Sequence, residues 1–209
     1  MGPAEIERKT EYYAQLANCT PKDATVFFGD SITELCKLDS LYGEYSESTG
    51  TPVINRGISA ETTNNMLKRV NASIISIQPK NLVMLMGVND LNQGVSQEQI
   101  TKNIRQIILA VQENSPQTNI VLQAVYPTNA ERDSVYERFQ LNGRDNETIR
   151  PLNEKLKRMA QEQDITFLDV TNLLTDKNGN LRQDYTFDGL HPNMNGYLAV
   201  KEEIIKALV

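Results

Sequence analysis

Five short apolar runs alternate with amphipathic helical patterns along the 209 residues of this chain, and this alternation constrains the fold most strongly. The runs cover residues 24–28, 52–54, 82–86, 119–125 and 165–170. Continuous apolar runs of this length are typical of strands that are covered on both faces. Helices that alternate with such strands predict parallel pairing and right-handed crossovers. We therefore expect an α/β fold, a three-layer α/β/α sandwich with a five-stranded parallel sheet.

The intervening helical patterns place their apolar side chains on one face. They cover residues 5–17, 62–77, 96–113, 149–163 and 194–208. The third begins with a capping box, in which Ser96 and Gln99 satisfy free N–H groups of the first turn. No internal repeat, low-complexity tract or linker interrupts the pattern, so we expect one domain over residues 1–209.

Composition narrows the function classes. The formal net charge of -6 argues against a nucleic-acid partner, because binding to phosphates needs a basic face. No apolar run approaches the length of a membrane span, and residues 1–20 lack the apolar core of a signal peptide, which favours a cytoplasmic protein. The two cysteines, Cys19 and Cys36, form no CxxC pair and have no neighbouring histidine, so we expect reduced thiols and no metal site.

Small and hydrogen-bonding residues follow the predicted strands, where the ligands of open α/β sheets gather. These segments are 29–33 after the first strand, 55–59 after the second, 87–90 after the third, and 188–192 well beyond the fifth. The last segment contains His191, the only histidine of the chain. Since parallel strands end at a shared edge of the sheet, we expect these segments to form one site.

The segments offer the groups that acyl transfer needs. A serine hydroxyl such as that of Ser31 is a weak nucleophile until a base takes its proton, and histidine is the usual base at neutral pH. Any such mechanism in this chain must use His191. A carboxylate is needed to hold the imidazole, and Asp188 reaches it only if the chain turns sharply, which Gly189 permits.

A tetrahedral intermediate also needs donors for its developing oxyanion. The candidates are the backbone N–H groups of Ser31 and Gly57 and the side chain of Asn89. Losing one such donor typically slows an enzyme by roughly 100- to 1000-fold.

Ordinary structural roles compete with these assignments. Ser31 could cap a helix that begins near Ile32, since serine is a favoured N-cap residue. Asp90 could cap a short helix and support the site without touching substrate. Asp169 and Asp184 are rival carboxylates, ranked below Asp188.

Taken in order, four short motifs carry a family resemblance. They are Gly29-Asp30-Ser31, Asn55-x-Gly57, Gly87-x-Asn89-Asp90 and Asp188-x-x-His191-Pro192. Their order, spacing and strand-end placement resemble the four blocks of the GDSL-type SGNH hydrolases, and the resemblance extends from Phe27 to Asn193. The strings around Ser31 and Gly57 are most similar to the platelet-activating-factor acetylhydrolase-like branch. Ala60 departs from the pattern, because many members carry a second glycine there.

The resemblance implies the roles of the site residues. Ser31 is the implied nucleophile, and His191 with Asp188 completes the triad. Gly57 and Asn89 join Ser31 in the implied oxyanion hole. The resemblance also implies a flavodoxin-like sandwich and neither a metal nor an organic cofactor.

The expected activity is hydrolysis of a short acyl ester, acetyl first, through an acyl-serine intermediate. A thioesterase or lysophospholipase on the same scaffold would use the same residues. A non-catalytic flavodoxin-like binding module is the alternative outside enzymes, although no phosphate-cradling glycine pattern follows a strand. We expect a small-molecule ester as partner, an acetylated carbohydrate, lipid or metabolite. A homodimer is a further expectation, since relatives are sometimes dimers.

Residues 126–148 form a polar stretch longer than a usual connection. It carries Tyr126, Arg132, Tyr136, Arg138, Phe139 and Arg144. Loops of this length are usually functional or disordered. The stretch is either a substrate-shaping loop or a solvated insertion.

Overall fold

Five parallel strands form one sheet in the computed structural model, which describes residues 2–131 and 141–209. The strands are β1 (Thr25–Gly29), β2 (Val53–Gly57), β3 (Asn81–Leu85), β4 (Asn119–Gln123) and β5 (Thr166–Leu168). Their order is β2-β1-β3-β4-β5, and every neighbouring pair is parallel. This is the flavodoxin-like order, so the predicted fold class is confirmed.

Helices cover the sheet. They are α1 (Pro3–Ala17), α2 (Ser31–Glu34), α3 (Leu38–Thr49), α4 (Thr63–Lys68), α5 (Val88–Asn92), α6 (Gln97–Asn114), α7 (Asn146–Glu162), α8 (Thr171–Leu174) and α9 (Met194–Lys206), with a π-helical turn at Asn71–Ile75 and a 3-10 turn at Gln183–Tyr185. Helix α6 packs against α4, α7 and the π-helical turn, and this turn packs against α1. Helix α9 packs against α3 and α8. None of the helices in the described ranges is long and apolar enough to cross a membrane.

The core lies where the sequence pattern places it. All residues of β1 and β3 are buried, because helices cover both faces of the central strands. The predicted apolar face of α6 is buried as well, and its first turn is capped by Ser96, whose Oγ accepts the Gln99 N–H at 3.2 Å. The predicted cap at Ser96 is therefore confirmed. The other half of the predicted capping box is not seen, because the Gln99 side chain donates to Asn103 Oδ1 at 2.7 Å.

Two helical regions differ from the prediction. Helix α3 was not expected, because only Leu38, Leu41 and Tyr42 are buried in an otherwise polar segment and its apolar periodicity is weak. The helix predicted at 62–77 is broken after α4, where the side chain of Arg69 turns into the protein and the chain continues as a π-helical turn. Such π-helical turns replace the regular i→i+4 hydrogen bonds over a single turn and are frequent at functional sites.

The strand order places a switch point between β1 and β3. Connections leave these two neighbouring strands in opposite directions, so a crevice opens at their carboxyl ends. Helices α2 and α5 begin directly after β1 and β3 and therefore lie at this crevice. The end of β2 borders it, because Gly57 is in register with Gly29.

Candidate active site

The predicted nucleophile lies in the first turn of α2. The N-cap is Asp30, whose Oδ1 accepts the Ile32 N–H at 2.9 Å. Ser31 is thus not the capping residue, and its hydroxyl is available for another partner. That partner is His191, whose Nε2 lies 2.9 Å from Ser31 Oγ.

A tight turn brings Asp188 and His191 together. His191 Nδ1 lies 2.7 Å from Asp188 Oδ2, and Asp188 Oδ1 accepts the backbone N–H of His191 at 2.8 Å. Gly189 has a left-handed backbone with φ of 83°, and a Cβ at this position would lie 2.3 Å from the carbonyl oxygen of Asn129. The sharp turn that the sequence predicts is present, and it requires glycine at this position.

The carboxyl of Asp188 is ionised across the ordinary pH range. Burial raises its pKa, but hydrogen bonds from the side chain and backbone of His191 outweigh burial and lower the pKa to about 2. An ionised carboxylate at this distance holds the imidazole with Nδ1 protonated and leaves Nε2 as the acceptor toward Ser31.

The rival carboxylates have other partners. Asp169 is bonded to the backbone and side chain of Thr171 at the start of α8. Asp184 forms an exposed ion pair with Arg182. Only Asp188, among the three candidates, contacts His191.

Asn89 lies in α5, next to the switch point, and is 5% exposed. Its Nδ2 donates to the carbonyl oxygen of Glu61 at 3.0 Å. An amide nitrogen carries two hydrogens, so one remains available to a ligand. The next residue, Asp90, fixes the position of α5, because its carboxylate accepts the N–H of Thr63 at 2.9 Å and the hydroxyl of Thr63 at 2.6 Å.

The assignment of Gly57 as an oxyanion donor needs correction. The Gly57 N–H already donates to Asn55 Oδ1 at 2.8 Å, within the same strand end. A Cβ at Gly57 would lie 2.3 Å from the backbone nitrogen of Glu34. Gly57 therefore serves the close approach of β2 to α2, the helix that carries Ser31.

Ala60 offers a free backbone donor nearby. Within the described part of the chain its N–H has no hydrogen-bond partner, and the residue is exposed. Its φ of 64° is left-handed, which is uncommon for a residue with a Cβ. The following residue, Glu61, gives its carbonyl oxygen to Asn89, so the turn of Ala60 adjoins Asn89.

A buried ion pair between Arg69 and Glu61 connects the carboxyl ends of β1 and β2. Arg69 and Glu61 are 1% and 0% exposed and are bonded to each other. The guanidinium of Arg69 also donates to the carbonyl oxygens of Arg56, at 2.9 Å, and Gly29, at 3.2 Å. One side chain therefore ties together the strand ends that precede Ser31 and Ala60.

Asp30 is the most perturbed acid of the site. It is fully buried, and its Oδ2 has no hydrogen-bond partner among the residues that the structure describes. Burial raises its pKa from 3.8 to about 6, against the N–H of Ile32 and the charges of His191 and Arg144, which lower it. An ionised carboxylate that is buried beside Ser31 therefore costs folding free energy at neutral pH.

Comparison with known proteins identifies the family. A sequence profile of the GDSL-like Lipase/Acylhydrolase family matches residues 27–199. The chain belongs to this family. The resemblance seen in the sequence is thus confirmed, and because the family and its structural relatives are hydrolases, the chain is a hydrolase.

Individual relatives agree with the GDSL-like assignment. Platelet-activating factor acetylhydrolase IB subunit alpha1 from Bos taurus is 28% identical over 176 residues, which cover 84% of this chain and 70% of that protein. A structure from Streptococcus pneumonia described as a platelet activating factor has a TM-score of 0.88 at 30% identity, and covers 99% of this chain and 94% of that chain. An acylhydrolase structure from Bacteroides fragilis has a TM-score of 0.77 at 24% identity, with coverage of 99% and 97%, and shows the same fold.

Sequence reasoning missed one residue of this GDSL-like site. Arg144, from the long polar stretch, is 9% exposed, and its Nη2 donates to Asn89 Oδ1 at 2.7 Å. In the sequence, the only indication of a role for Arg144 is its place in an unusually long polar loop. The predicted loop residues Arg132, Tyr136, Arg138 and Phe139 lie outside the described residues, whereas Tyr126 is buried and its hydroxyl donates to Gln123 at 2.7 Å.

The described residues of this GDSL-like hydrolase hold no group of three or more His, Cys, Asp or Glu side chains suited to a metal ion. Cys36 is buried, and burial raises the pKa of its thiol to about 12. Because a thiolate is the reactive form of cysteine, this thiol is no competitor to Ser31 as nucleophile.

Proposed function

We propose that this protein is a serine esterase that removes short acyl groups, acetyl first, from small-molecule esters through an acyl-serine intermediate. The observation that carries the proposal is the continuous chain from Asp188 through His191 to Ser31, with contacts of 2.7 and 2.9 Å. These three side chains come from two segments separated by more than half of the sequence, and they have the relative geometry of a nucleophile, a base and its orienting acid.

In the proposed reaction, Ser31 Oγ attacks the ester carbonyl while His191 Nε2 takes the hydroxyl proton. The ionised Asp188 stabilises the imidazolium that forms. His191 then returns the proton to the leaving alcohol, whose bond to the acyl carbon breaks. A water molecule, deprotonated by His191, attacks the acyl-serine, and the carboxylic acid leaves as Ser31 recovers its proton.

The oxyanion donors in this proposal are the Ser31 N–H, the second Nδ2 hydrogen of Asn89 and the Ala60 N–H. The Ser31 N–H lies in the first turn of α2, where helical N–H groups have no acceptor within the helix. Ala60 replaces Gly57 because the Gly57 N–H is already bonded to Asn55. An exposed N–H that has no partner among the described residues can donate to a ligand oxygen without first breaking a bond.

The proposed preference for acetyl groups is supported by one named relative. The Bos taurus protein is called an acetylhydrolase, and its similarity covers 84% of this chain. The family profile, which matches residues 27–199, includes all four motifs. Nothing in the described site favours a thioester or a long-chain lysophospholipid over a short acyl oxygen ester, so these alternatives enter the substrate panel.

Two experiments test the proposal, covalent labelling of the nucleophile and a comparison of substrates. Treatment with an active-site phosphonate should add one adduct, located at Ser31 by mass spectrometry. Ser31→Ala should lose the adduct and lower hydrolysis of p-nitrophenyl acetate by roughly 1000-fold or more. A panel of acetyl, butyryl and octanoyl esters, an acetyl thioester and a lysophospholipid should show the highest kcat/KM for the acetyl ester. Near-normal activity of Ser31→Ala contradicts the mechanism, and a preference for the octanoyl ester contradicts the acyl class.

A further inference from the structure

The side-chain amide of Asn89 is held at both of its ends. Its Nδ2 donates to the carbonyl oxygen of Glu61, and its Oδ1 accepts from Arg144 Nη2. A carbonyl oxygen can only accept and a guanidinium can only donate, so these two partners allow a single orientation of the amide. In that orientation the nitrogen end, and not the oxygen end, faces the turn of Ala60 and Glu61.

Arg144 is itself fixed in place. Its Nε donates to the carbonyl oxygen of Val88 at 3.3 Å, which precedes Asn89 in α5. Its own carbonyl oxygen accepts the hydroxyl of Thr128 at 2.6 Å, and its N–H donates to Leu141 at 2.7 Å. The guanidinium therefore bridges the loop after β4 and the start of α5 from an anchored backbone.

We infer that Arg144 is a positioning residue of the hydrolase, which locks the Asn89 amide so that its nitrogen donates to the oxyanion. The inference rests on the proposed function, because it assigns a purpose to Arg144 only if Asn89 is an oxyanion donor. Arg144 acts through Asn89 and not on the substrate directly.

The physical reason is the symmetry of a primary amide. Rotation by half a turn exchanges an oxygen and an NH2 group of nearly the same size, so packing alone does not choose between the two orientations. With the oxygen turned to the site, the amide would repel the oxyanion instead of stabilising it. A charge-assisted bond from Arg144 makes the productive orientation the favoured one, before substrate binds.

A double-mutant cycle tests the inference. Arg144→Ala should lower kcat for p-nitrophenyl acetate by roughly 10- to 100-fold with KM changed less than about threefold, since the lost interaction belongs to the transition state. Asn89→Ala should cost roughly 100- to 1000-fold. In the Asn89→Ala background, Arg144→Ala should cost less than about threefold, because its target is absent. Arg144→Lys should recover part of kcat, since an ammonium still donates to Asn89 Oδ1 but loses the paired bond to Val88.

Two measurements separate positioning from a structural role. Thermal unfolding of each variant reports whether the fold survives. Arg105→Ala is the arginine control, because it removes an exposed ion pair between Arg105 on α6 and Glu162 on α7, and it should keep kcat. Equal losses from Arg144→Ala with Asn89 present and absent would overturn the inference. The failure of the proposed function is distinct, because it would appear as activity in Ser31→Ala, whereas the cycle can fail while Ser31 remains essential.

Discussion

Asp30→Asn should make the protein more stable at alkaline pH and less active. Burial raises the pKa of Asp30 from 3.8 to about 6, which corresponds to about 3 kcal/mol of destabilisation when the carboxylate is ionised in the folded state. Asparagine removes the charge and can keep the Oδ1 acceptor for the Ile32 N–H. Its amide nitrogen takes the place of Oδ2, which has no hydrogen-bond partner in residues 2–131 and 141–209, and an unsatisfied buried donor costs about 1–2 kcal/mol. The net gain at about pH 8 is therefore about 1–2 kcal/mol.

The pH dependence of that gain is the sharper part of the prediction. Because the folded carboxyl binds its proton more tightly than the unfolded one, the wild-type protein gains stability as the pH falls from about 6 to about 4. The variant has no such group. The stability of Asp30→Asn relative to wild type should thus fall by about 3 kcal/mol between about pH 8 and about pH 4, and its sign should reverse.

Urea unfolding followed by far-ultraviolet circular dichroism measures this difference, and the chain has no tryptophan to serve as a fluorescence probe. Asp39→Asn, at an exposed position of α3, is the control for the removal of a surface carboxylate. The activity of Asp30→Asn should decrease, because the Asp30 charge attracts the imidazolium that His191 becomes in the proposed reaction. A stability difference that stays constant from about pH 8 to about pH 4 would refute the reasoning.

Three further substitutions test the turn and strand end beside Ser31. Ala60→Gly should raise the free energy of unfolding by about 0.5–1 kcal/mol in urea unfolding, because glycine adopts the left-handed φ of 64° without steric cost. Gly57→Ala should lower it by about 2 kcal/mol or more and reduce esterase activity, since the added Cβ meets the Glu34 backbone at 2.3 Å. Glu61→Ala should lower it by about 3–5 kcal/mol, because Arg69 would remain buried without its ion-pair partner. A destabilised Ala60→Gly, a neutral Gly57→Ala or a neutral Glu61→Ala would each contradict the corresponding contact.

The strands were predictable because burial on both faces leaves a clear apolar run. All five runs became strands, and the edges moved by only a few residues, as with β2, which extends to Gly57. Helix α3 could not be predicted in this way, since a polar segment with Gly43 in its middle shows little apolar periodicity. The break after α4 depends on the inward turn of Arg69, a tertiary contact that local sequence does not encode.

The choice of His191 followed by elimination, because the chain has one histidine, whereas the roles of Ser31 and Asp188 followed from the family resemblance. Their proximity was predictable because parallel strands bring distant loops to one edge of the sheet. The error at Gly57 has a local cause. An asparagine two residues before an N–H can bond to it in an Asx-turn, and Asn55 does so here. The Asn55-x-Gly57 spacing is compatible with such an Asx-turn, but it entered the prediction from sequence only as a family motif. Arg144 lies 55 residues from Asn89, and nothing in either segment links the two.

Two buried polar atoms that have no hydrogen-bond partner among the described residues adjoin the proposed site. They are Asp30 Oδ2 and Glu61 Oε1, and their residues lie beyond the carboxyl ends of β1 and β2, next to Ser31 and Ala60. The third such atom, Arg56 Nε, belongs to a side chain that packs on the ring of Tyr13 and donates to Thr20. Buried polar groups without partners cost folding free energy, yet a buried surrounding strengthens every charge interaction with a developing oxyanion or imidazolium. The same substitutions that relieve this cost, with Asp30→Asn as the first case, should therefore trade activity for stability, and a variant that gained both would show that the unsatisfied groups serve no catalytic purpose.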